Sequence, residues 1–456
     1  MNNLQIIILA AGKGTRMKSQ LPKVLQKIAG MPMLERVIQT AKCLKPKIIQ
    51  VIVGFGANQI KQQINDEQIT WVTQAQQLGT GHAVLQAKQN ISPESINLIL
   101  YGDVPLISAS TLEQLIESAK LSGFALLTAV LKQPAGYGRI IRQNNNITGI
   151  VEHGDATEAQ LKINEINTGI MAVKGKLLKK YLNNLTTNNE QGEYYLTDIV
   201  KMAVNDGIEV VGLITDDKLE AEGINSRQQQ ATIERYYQEK LAHKLMDLGV
   251  CIIDPKRLDV RGELKTGQDV TIDINVILEG QVTLGDRVTI GANSIIKNCV
   301  IESGTEILAN CIVENSKIGQ NCTIGPFSRI RPETQLLGNN KVGNFVEIKK
   351  SQINTGSKVN HLSYVGDATI GKNTNIGAGT ITCNYDGAFK HQTIIGDEVF
   401  VGSGTELVAP ISIADHTTIG AGSTLSKDVA ANDNESKLVL TRSKLKTING
   451  WQRPKK

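Results

Sequence analysis

The sequence of 456 residues predicts a mostly parallel α/β domain, a connecting helix, and an all-β domain built as a parallel β-helix. Three observations carry this reading. The first half alternates short β-rich runs with helical patterns, a long stretch of helical periodicity then contains no glycine, and beyond it aliphatic residues return at every sixth position. At about 150 residues per domain, the length itself asks for two or three domains.

The β-rich runs are Ile6–Ala10, Ile48–Val53, Ile69–Thr73, Ile96–Tyr101 and Phe124–Val130, with helical spacing in segments such as Met33–Leu44 and Thr111–Leu121. Strands that alternate with helices form a mostly parallel sheet covered on both faces. Ligands of such sheets sit beyond the carboxyl ends of the strands. Two motifs fall there: Leu9–Lys23, "LAAGKGTRMKSQLPK", and Tyr101–Pro105, "YGDVP". The first completes neither familiar phosphate signature. A Walker loop needs a hydroxyl where Gly14 stands, and the dinucleotide fingerprint needs a small residue where Met17 stands. What remains is a strand followed by a turn whose glycines let backbone N–H groups approach an anion, with Lys13, Arg16, Lys18 and Lys23 to neutralise it. The alternative is a basic surface turn.

The glycine-free stretch Arg227–Leu248 reads as the connecting helix and divides the chain into 1–227, a linker at 228–248, and 249–456. The sixfold recurrence runs through Ile272, Leu278, Leu284, Ile290 and Ile296, then Ile312, Ile318, Ile324, Ile330, Leu336, Val342 and Ile348. After a slip of one residue it resumes at Ile353, Val359 and Val365, then Ile370 and Ile376, and finally Ile395, Val401, Leu407, Ile413, Ile419 and Leu425. A helix would need a spacing near 3.6 and a hairpin strand a spacing of two, so six marks a repeat. It fits coils of hexapeptides whose aliphatic side chains stack inside while small residues turn the corners. Thr382–Thr393 interrupts the repeat and reads either as a functional loop or as a plain bulge.

Composition removes several classes. A net charge of +5, from 49 basic and 44 acidic side chains, is too mild for a dedicated nucleic-acid binder. Ile6–Ala11 is too short for a signal core, and no apolar run approaches the roughly 18 residues of a membrane span. The six cysteines form no C-x-x-C pair and do not cluster with histidine at zinc spacing, which fits a reduced, cytoplasmic protein.

"LAAGKGTRM…PK", "QLGTGHA" and "YGDVP" resemble the sugar-phosphate nucleotidyltransferases, while "HLSYVGDATIG" and "NIGAGTITCNYDG" resemble the hexapeptide acyltransferases. In this order, over nearly the whole chain, they resemble the bacterial family of bifunctional N-acetylglucosamine-1-phosphate uridylyltransferase/glucosamine-1-phosphate acetyltransferases. The resemblance implies a Rossmann-like nucleotidyltransferase domain, a left-handed β-helix, and a homotrimer with the acetyl-transfer pocket between neighbours. It also implies two reactions. Acetyl-CoA first acetylates glucosamine-1-phosphate, and UTP then gives UMP to that product, forming UDP-N-acetylglucosamine for peptidoglycan and lipopolysaccharide precursors.

Residue roles follow from the same resemblance. Leu9, Ala10, Ala11 and Gly12 would line the UTP site, with Arg16 and Lys23 as the neutralising catalytic pair. Gln74, Gly79 and Thr80 would hold uracil, Tyr101 and Gly102 would belong to the nucleotide side, and Gly138, Glu152 and Asn167 would hold the sugar. Asp103 and Asn225 would bind Mg²⁺ through oxygen, although Asp103 alone could be a turn residue. For acetyl transfer, His361 is the implied general base, since imidazole titrates near neutral pH, and Asn384 would orient it. Arg331 and Lys349 would bind the sugar's phosphate beside Tyr364 and Asn375. Ala378, Asn384, Tyr385, Ser403, Ala421 and Arg442 would contact acetyl-CoA. Phe389, and the length of Ala431–Ser436, depart from the family pattern. The rival reading is a single-activity sugar-phosphate nucleotidyltransferase whose β-helix is structural.

Overall fold

The computed structural model describes residues 3–431, 436–441, 447–449 and 451. Arg442 and residues 432–435 of the long segment before the tail lie outside them. Contacts divide the chain into two compact units, Met1–Tyr237 and Gln238–Lys456.

The first unit is built on a twisted sheet. Its strands are β1 (Leu4–Ala10), β2 (Ile48–Val53), β3 (Ile69–Thr73), β4 (Ile96–Tyr101), β5 (Phe124–Val130), β6 (Arg139–Gln143), β7 (Asn146–Val151), β8 (Glu165–Lys174) and β9 (Val210–Ile214). The main order is β9-β5-β8-β4-β1-β2-β3, and β6 and β7 form an antiparallel hairpin attached to β8. All seven residues of β1 are buried, because a central parallel strand is covered on both faces. Helices Met33–Cys43 and Ala109–Ser122 lie in the positions their spacing predicts; the second is capped by the Ser108 hydroxyl on the Thr111 N–H, 3.2 Å.

Within the main order one strand departs from the parallel expectation. β8 runs antiparallel to both β4 and β5, with a register shift between Asn167 and Met171. The sequence hides it, because Asn167-Thr168-Gly169 breaks the hydrophobic run at the bulge.

In the second unit each coil lays short parallel strands on three faces of a prism. The inward column of face one is Ile272, Ile290, Ile307, Ile324, Val342, Val359, Ile376, Val401 and Ile419. Face two carries Ile296, Val313, Ile330, Ile348 and Val365, and face three carries Ile301, Ile318, Leu336, Ile353 and Ile370. These residues are almost completely buried and form one continuous core. The expected inward position at Ile312 is wrong: Ile312 faces outward and Val313 is fully buried. The cause is a five-residue step from Ile296 to Ile301, of the same kind as the steps Val313 to Ile318, Ile348 to Ile353 and Val365 to Ile370. Each of these steps turns the corner from face two to face three, and the 382–393 insertion sits at that corner too.

Because every inward side chain is gripped by the coils above and below, truncation should be felt in full. Ile348→Ala is expected to lower stability by about 3 kcal/mol in chemical denaturation. An unchanged midpoint would contradict the stacked interior.

Candidate functional site

In the first unit the carboxyl ends of β1 and β4 open into a cleft of about 330 Å³. Its lining includes Leu9, Ala10, Ala11, Gly12, Lys23, Gln74, Gly79, Thr80, Tyr101 and Asp103. The structure therefore gathers ten of the expected nucleotide-side residues into one cavity. Gly102 lies beneath it, its N–H donating to the Leu9 carbonyl at 2.9 Å. Gln74 is buried, and its Nε2 lies 3.1 Å from the Gly79 carbonyl and 3.0 Å from His82 Nδ1. A larger hollow of about 780 Å³ opens at the opposite end of the sheet among Leu4, Cys43, Lys45, Glu94, Ile96 and Lys174, and holds none of the motif residues.

Gly14 shows why the loop carries glycine. It is left-handed, with φ +62°, and a Cβ there would lie 2.6 Å from the Cβ of Lys23. The loop can thus lie directly on the Lys23 stem. The Lys23 ammonium donates to Asp103 Oδ2 and, at 3.0 Å, to Asn225 Oδ1. Asn225 sits far away in sequence, but the Ile224 N–H donates to the Asp103 carbonyl at 2.9 Å and ties the two segments together. Arg16 is exposed on the short turn Thr15–Met17, outside the residues lining the cleft.

The expected sugar residues form a neighbouring group. The Asn167 N–H donates to the Gly138 carbonyl at 2.9 Å, and a Cβ on Gly138 would lie 3.2 Å from Glu152 Oε2. Tyr101 joins the two groups: burial, then the carboxylates of Glu152 and Asp103, push its hydroxyl above the usual tyrosine range. Burial likewise raises the Glu152 carboxyl, against a 2.9 Å hydrogen bond from Thr197 Oγ1. Sequence reasoning missed Gln77 and Glu193 in the cleft, and Tyr137, whose hydroxyl is raised by burial and by Glu222 and Asp103 while Arg16 opposes them. Gln77 opens the motif "QLGTGHA" without an expected role, whereas Glu193 and Tyr137 sit in loops that no local pattern links to the motif strands.

In the second unit His361 ends a face-one strand at the corner leading to face two. His361, Ala378 and Ser403 accept from the N–H groups of Gly379, Gly404 and Gly422, so His361, Ala378, Ser403 and Ala421 mark successive rungs of this corner. Above His361 the left-handed corner residues are those glycines, whereas Phe327, Phe345 and Leu362 occupy the rungs at and below it. Arg331, Lys349 and Tyr364 face outward on face two, and Asn375 on face one. Arg331 is paired with Glu347 at 2.6 Å. Lys390, a residue the sequence reading missed, lies beside Lys349; its ammonium, then burial, then Arg331 hold Lys349 below the usual lysine range. Asn384, expected to orient His361, makes its side-chain hydrogen bonds to other residues. Its Nδ2 lies 2.5 Å from Asp367 Oδ2 and 3.5 Å from the Tyr364 hydroxyl. Tyr385 and Phe389 are exposed on the same inserted loop, whose turn is fixed by the Phe389 N–H on Asp386 Oδ1 at 2.7 Å. No group of three or more His, Cys, Asp or Glu suited to a metal occurs among the described residues, and none of their helices is long and apolar enough to cross a membrane.

Residues 6–144 match the MobA-like NTP transferase domain, 260–340 the GMPPB C-terminal domain, and 392–427 the hexapeptide repeat of succinyl-transferase. Among solved structures the chain is similar to a UDP-glucose pyrophosphorylase complexed with UDP-glucose, with 17% identity, coverage of 53% of this chain and 100% of that one, and a TM-score of 0.44. It is also similar to a nucleotidyl transferase from Methanothermobacter, with 17% identity, coverage of 52% and 98%, and a TM-score of 0.38. The chain joins a Rossmann-like nucleotidyltransferase domain to a parallel β-helix bearing hexapeptide repeats of acyltransferase type. This domain content is that of a transferase.

The raised Glu152 carboxyl has a consequence for stability. Its ionised form is disfavoured by folding, so the penalty is absent below the ordinary value of 4.5 and grows as pH rises through the folded value. Glu152→Gln should therefore melt above the parent protein at pH 8 and together with it near pH 4. Melting scans at the two pH values check this, and an equal gap at both would contradict it.

Proposed function

We propose that the chain makes UDP-N-acetylglucosamine in two steps, acetylating glucosamine-1-phosphate with acetyl-CoA in the β-helix and then transferring UMP from UTP in the α/β unit. The observation that carries this reading is the single cleft in which the glycine loop, Lys23, Asp103, Gln74, Gly79 and Thr80 converge beside Gly138, Glu152 and Asn167. A triphosphate fits the loop end and a sugar phosphate the Glu152 end.

In the uridylyl step a phosphate oxygen of the sugar attacks the α-phosphorus of UTP, and the bond to the β-phosphate breaks as pyrophosphate leaves. Two anions must approach, so the site's task is to neutralise and align them. Lys23 is placed for the α-phosphate, with Arg16 at the loop's outer side. Asp103 Oδ2 and Asn225 Oδ1 already converge on one cation, the Lys23 ammonium, and this oxygen pair fits Mg²⁺, which takes few protein ligands and completes its shell with water and phosphate. When bound there, Mg²⁺ would supply charge stabilisation to the phosphates.

In the acetyl step the sugar's amine attacks the thioester carbonyl, His361 accepts the amine proton, and CoA leaves as the thiolate. The bare corner above His361, at Gly379, Gly404 and Gly422, gives a long thin donor a path past Ala378, Ser403 and Ala421. Lys349, Lys390 and Arg331 supply positive charge for the sugar's phosphate. Asn375 and Tyr364 occupy different faces, an arrangement that supports a pocket completed by another copy in a homotrimer. Six unpaired cysteines support a reduced, cytoplasmic setting. The match of residues 260–340 to a C-terminal domain that is not named for acyl transfer favours, as second reading, a single nucleotidyltransferase with a structural β-helix.

The deciding experiment supplies full-length protein with glucosamine-1-phosphate and acetyl-CoA, without UTP, and follows free CoA thiol. Substrate-dependent release is expected; its absence leaves the second reading. His361→Ala should lower that release by at least about a hundredfold and spare uridylyl transfer to supplied N-acetylglucosamine-1-phosphate, while Asp103→Ala should do the reverse. Light scattering should give about three times the chain mass, and a stable monomer would leave the acetyl pocket incomplete.

A further inference from the structure

The Lys23 ammonium occupies the oxygen pair proposed above for a divalent ion. It bridges Asp103 Oδ2 and Asn225 Oδ1 with side chains only 13% and 15% exposed for Lys23 and Asp103. The Asn225 oxygen is held independently of Lys23, and the Asp103 main chain is fixed beside it. The Asn225 N–H donates to Gln229 Oε1 at 2.8 Å and its Nδ2 reaches the Gly223 carbonyl at 3.3 Å, which leaves Oδ1 aimed at the ammonium. The Asp103 backbone is pinned by Ile224. The lysine stem lies against Gly14, so the ammonium sits at the end of the glycine loop read above as the triphosphate site.

An ammonium and a divalent ion cannot share two oxygens at contact distance, because their repulsion in a partly closed cleft is large. We propose that Lys23 is an internal stand-in for the metal: it fills the divalent-ion position while the cleft lacks nucleotide, and leaves when a triphosphate offers it other oxygens. This rests on the reading of the cleft as a site for nucleotide with a divalent ion. It makes the free protein a poor metal binder and makes metal entry dependent on the nucleotide. Lys23 thereby has two successive partners, the Asp103–Asn225 pair and then phosphate.

Mn²⁺ binding to the full chain, read from the loss of the free-ion signal in electron paramagnetic resonance, tests this without turnover. Without nucleotide, Lys23→Met should bind Mn²⁺ at least about tenfold more tightly than the parent. Arg16→Met, which removes a charge from the same loop but not from the oxygen pair, should change affinity by less than about threefold. A non-hydrolysable UTP analogue should raise Mn²⁺ affinity in the parent and narrow its gap from Lys23→Met. Equal nucleotide-free affinities of the parent and Lys23→Met, or an equal gain in Arg16→Met, would overturn the stand-in role. Adding Asp103→Asn to Lys23→Met should abolish the gain. Tight Mn²⁺ binding that survives this second change would overturn the proposal at its base, since the metal would then lie elsewhere.

Discussion

Parallel pairing is the constraint on which both units depend. A parallel strand cannot return through a tight hairpin, so the chain must travel a full connection before it pairs again. In the α/β unit those connections are largely helices, and they leave the carboxyl ends of β1 and β4 side by side. In the β-helix the connection is the rest of the coil, and equivalent positions of successive coils come into register. Both sites are products of this: a cleft where strand ends meet loops, and a corner where His361, Ala378, Ser403 and Ala421 stack rung upon rung.

Legibility in the sequence followed the same constraint. Residues placed by a strand end or a rung could be found from pattern, which is why Leu9–Gly12, Tyr101 and Asp103 converge where the β-rich runs end. Lys390, Tyr137 and Glu193 could not, because their positions are set by loop paths rather than by a period. The reversed strand β8 is hidden by its own bulge, and a count of six back from Ile318 falls on Ile312 rather than Val313 because the five-residue step there leaves two adjacent β-branched residues and only one inward direction. The role expected of Asn384 rests on resemblance alone, and its Nδ2 lies against Asp367 and Tyr364.

The electrostatics of the two sites differ in kind. The α/β cleft holds its charges in opposed pairs, with Lys23 against Asp103 and the raised carboxyl of Glu152 nearby. The face-two surface of the β-helix instead crowds Lys349, Lys390 and Arg331, relieved in part by Glu347. Crowded cations favour an incoming anion before any contact is made, whereas paired ones must first exchange partners. The face-two surface thus carries cations in excess, and the cleft carries them already matched.

Between Ile272 and Leu425 the corner between faces two and three absorbs the irregularities of the repeat, both the five-residue steps and the long inserted loop. It acts like a spacer between words in a fixed reading frame. Residues gained or lost there change the length of one turn without moving the inward column of the next coil, while the step across the His361 corner stays at six residues from Ile272 to Leu425. Variation in length can therefore accumulate at one edge of the solenoid while the edge that carries His361, Ala378, Ser403 and Ala421 keeps its spacing.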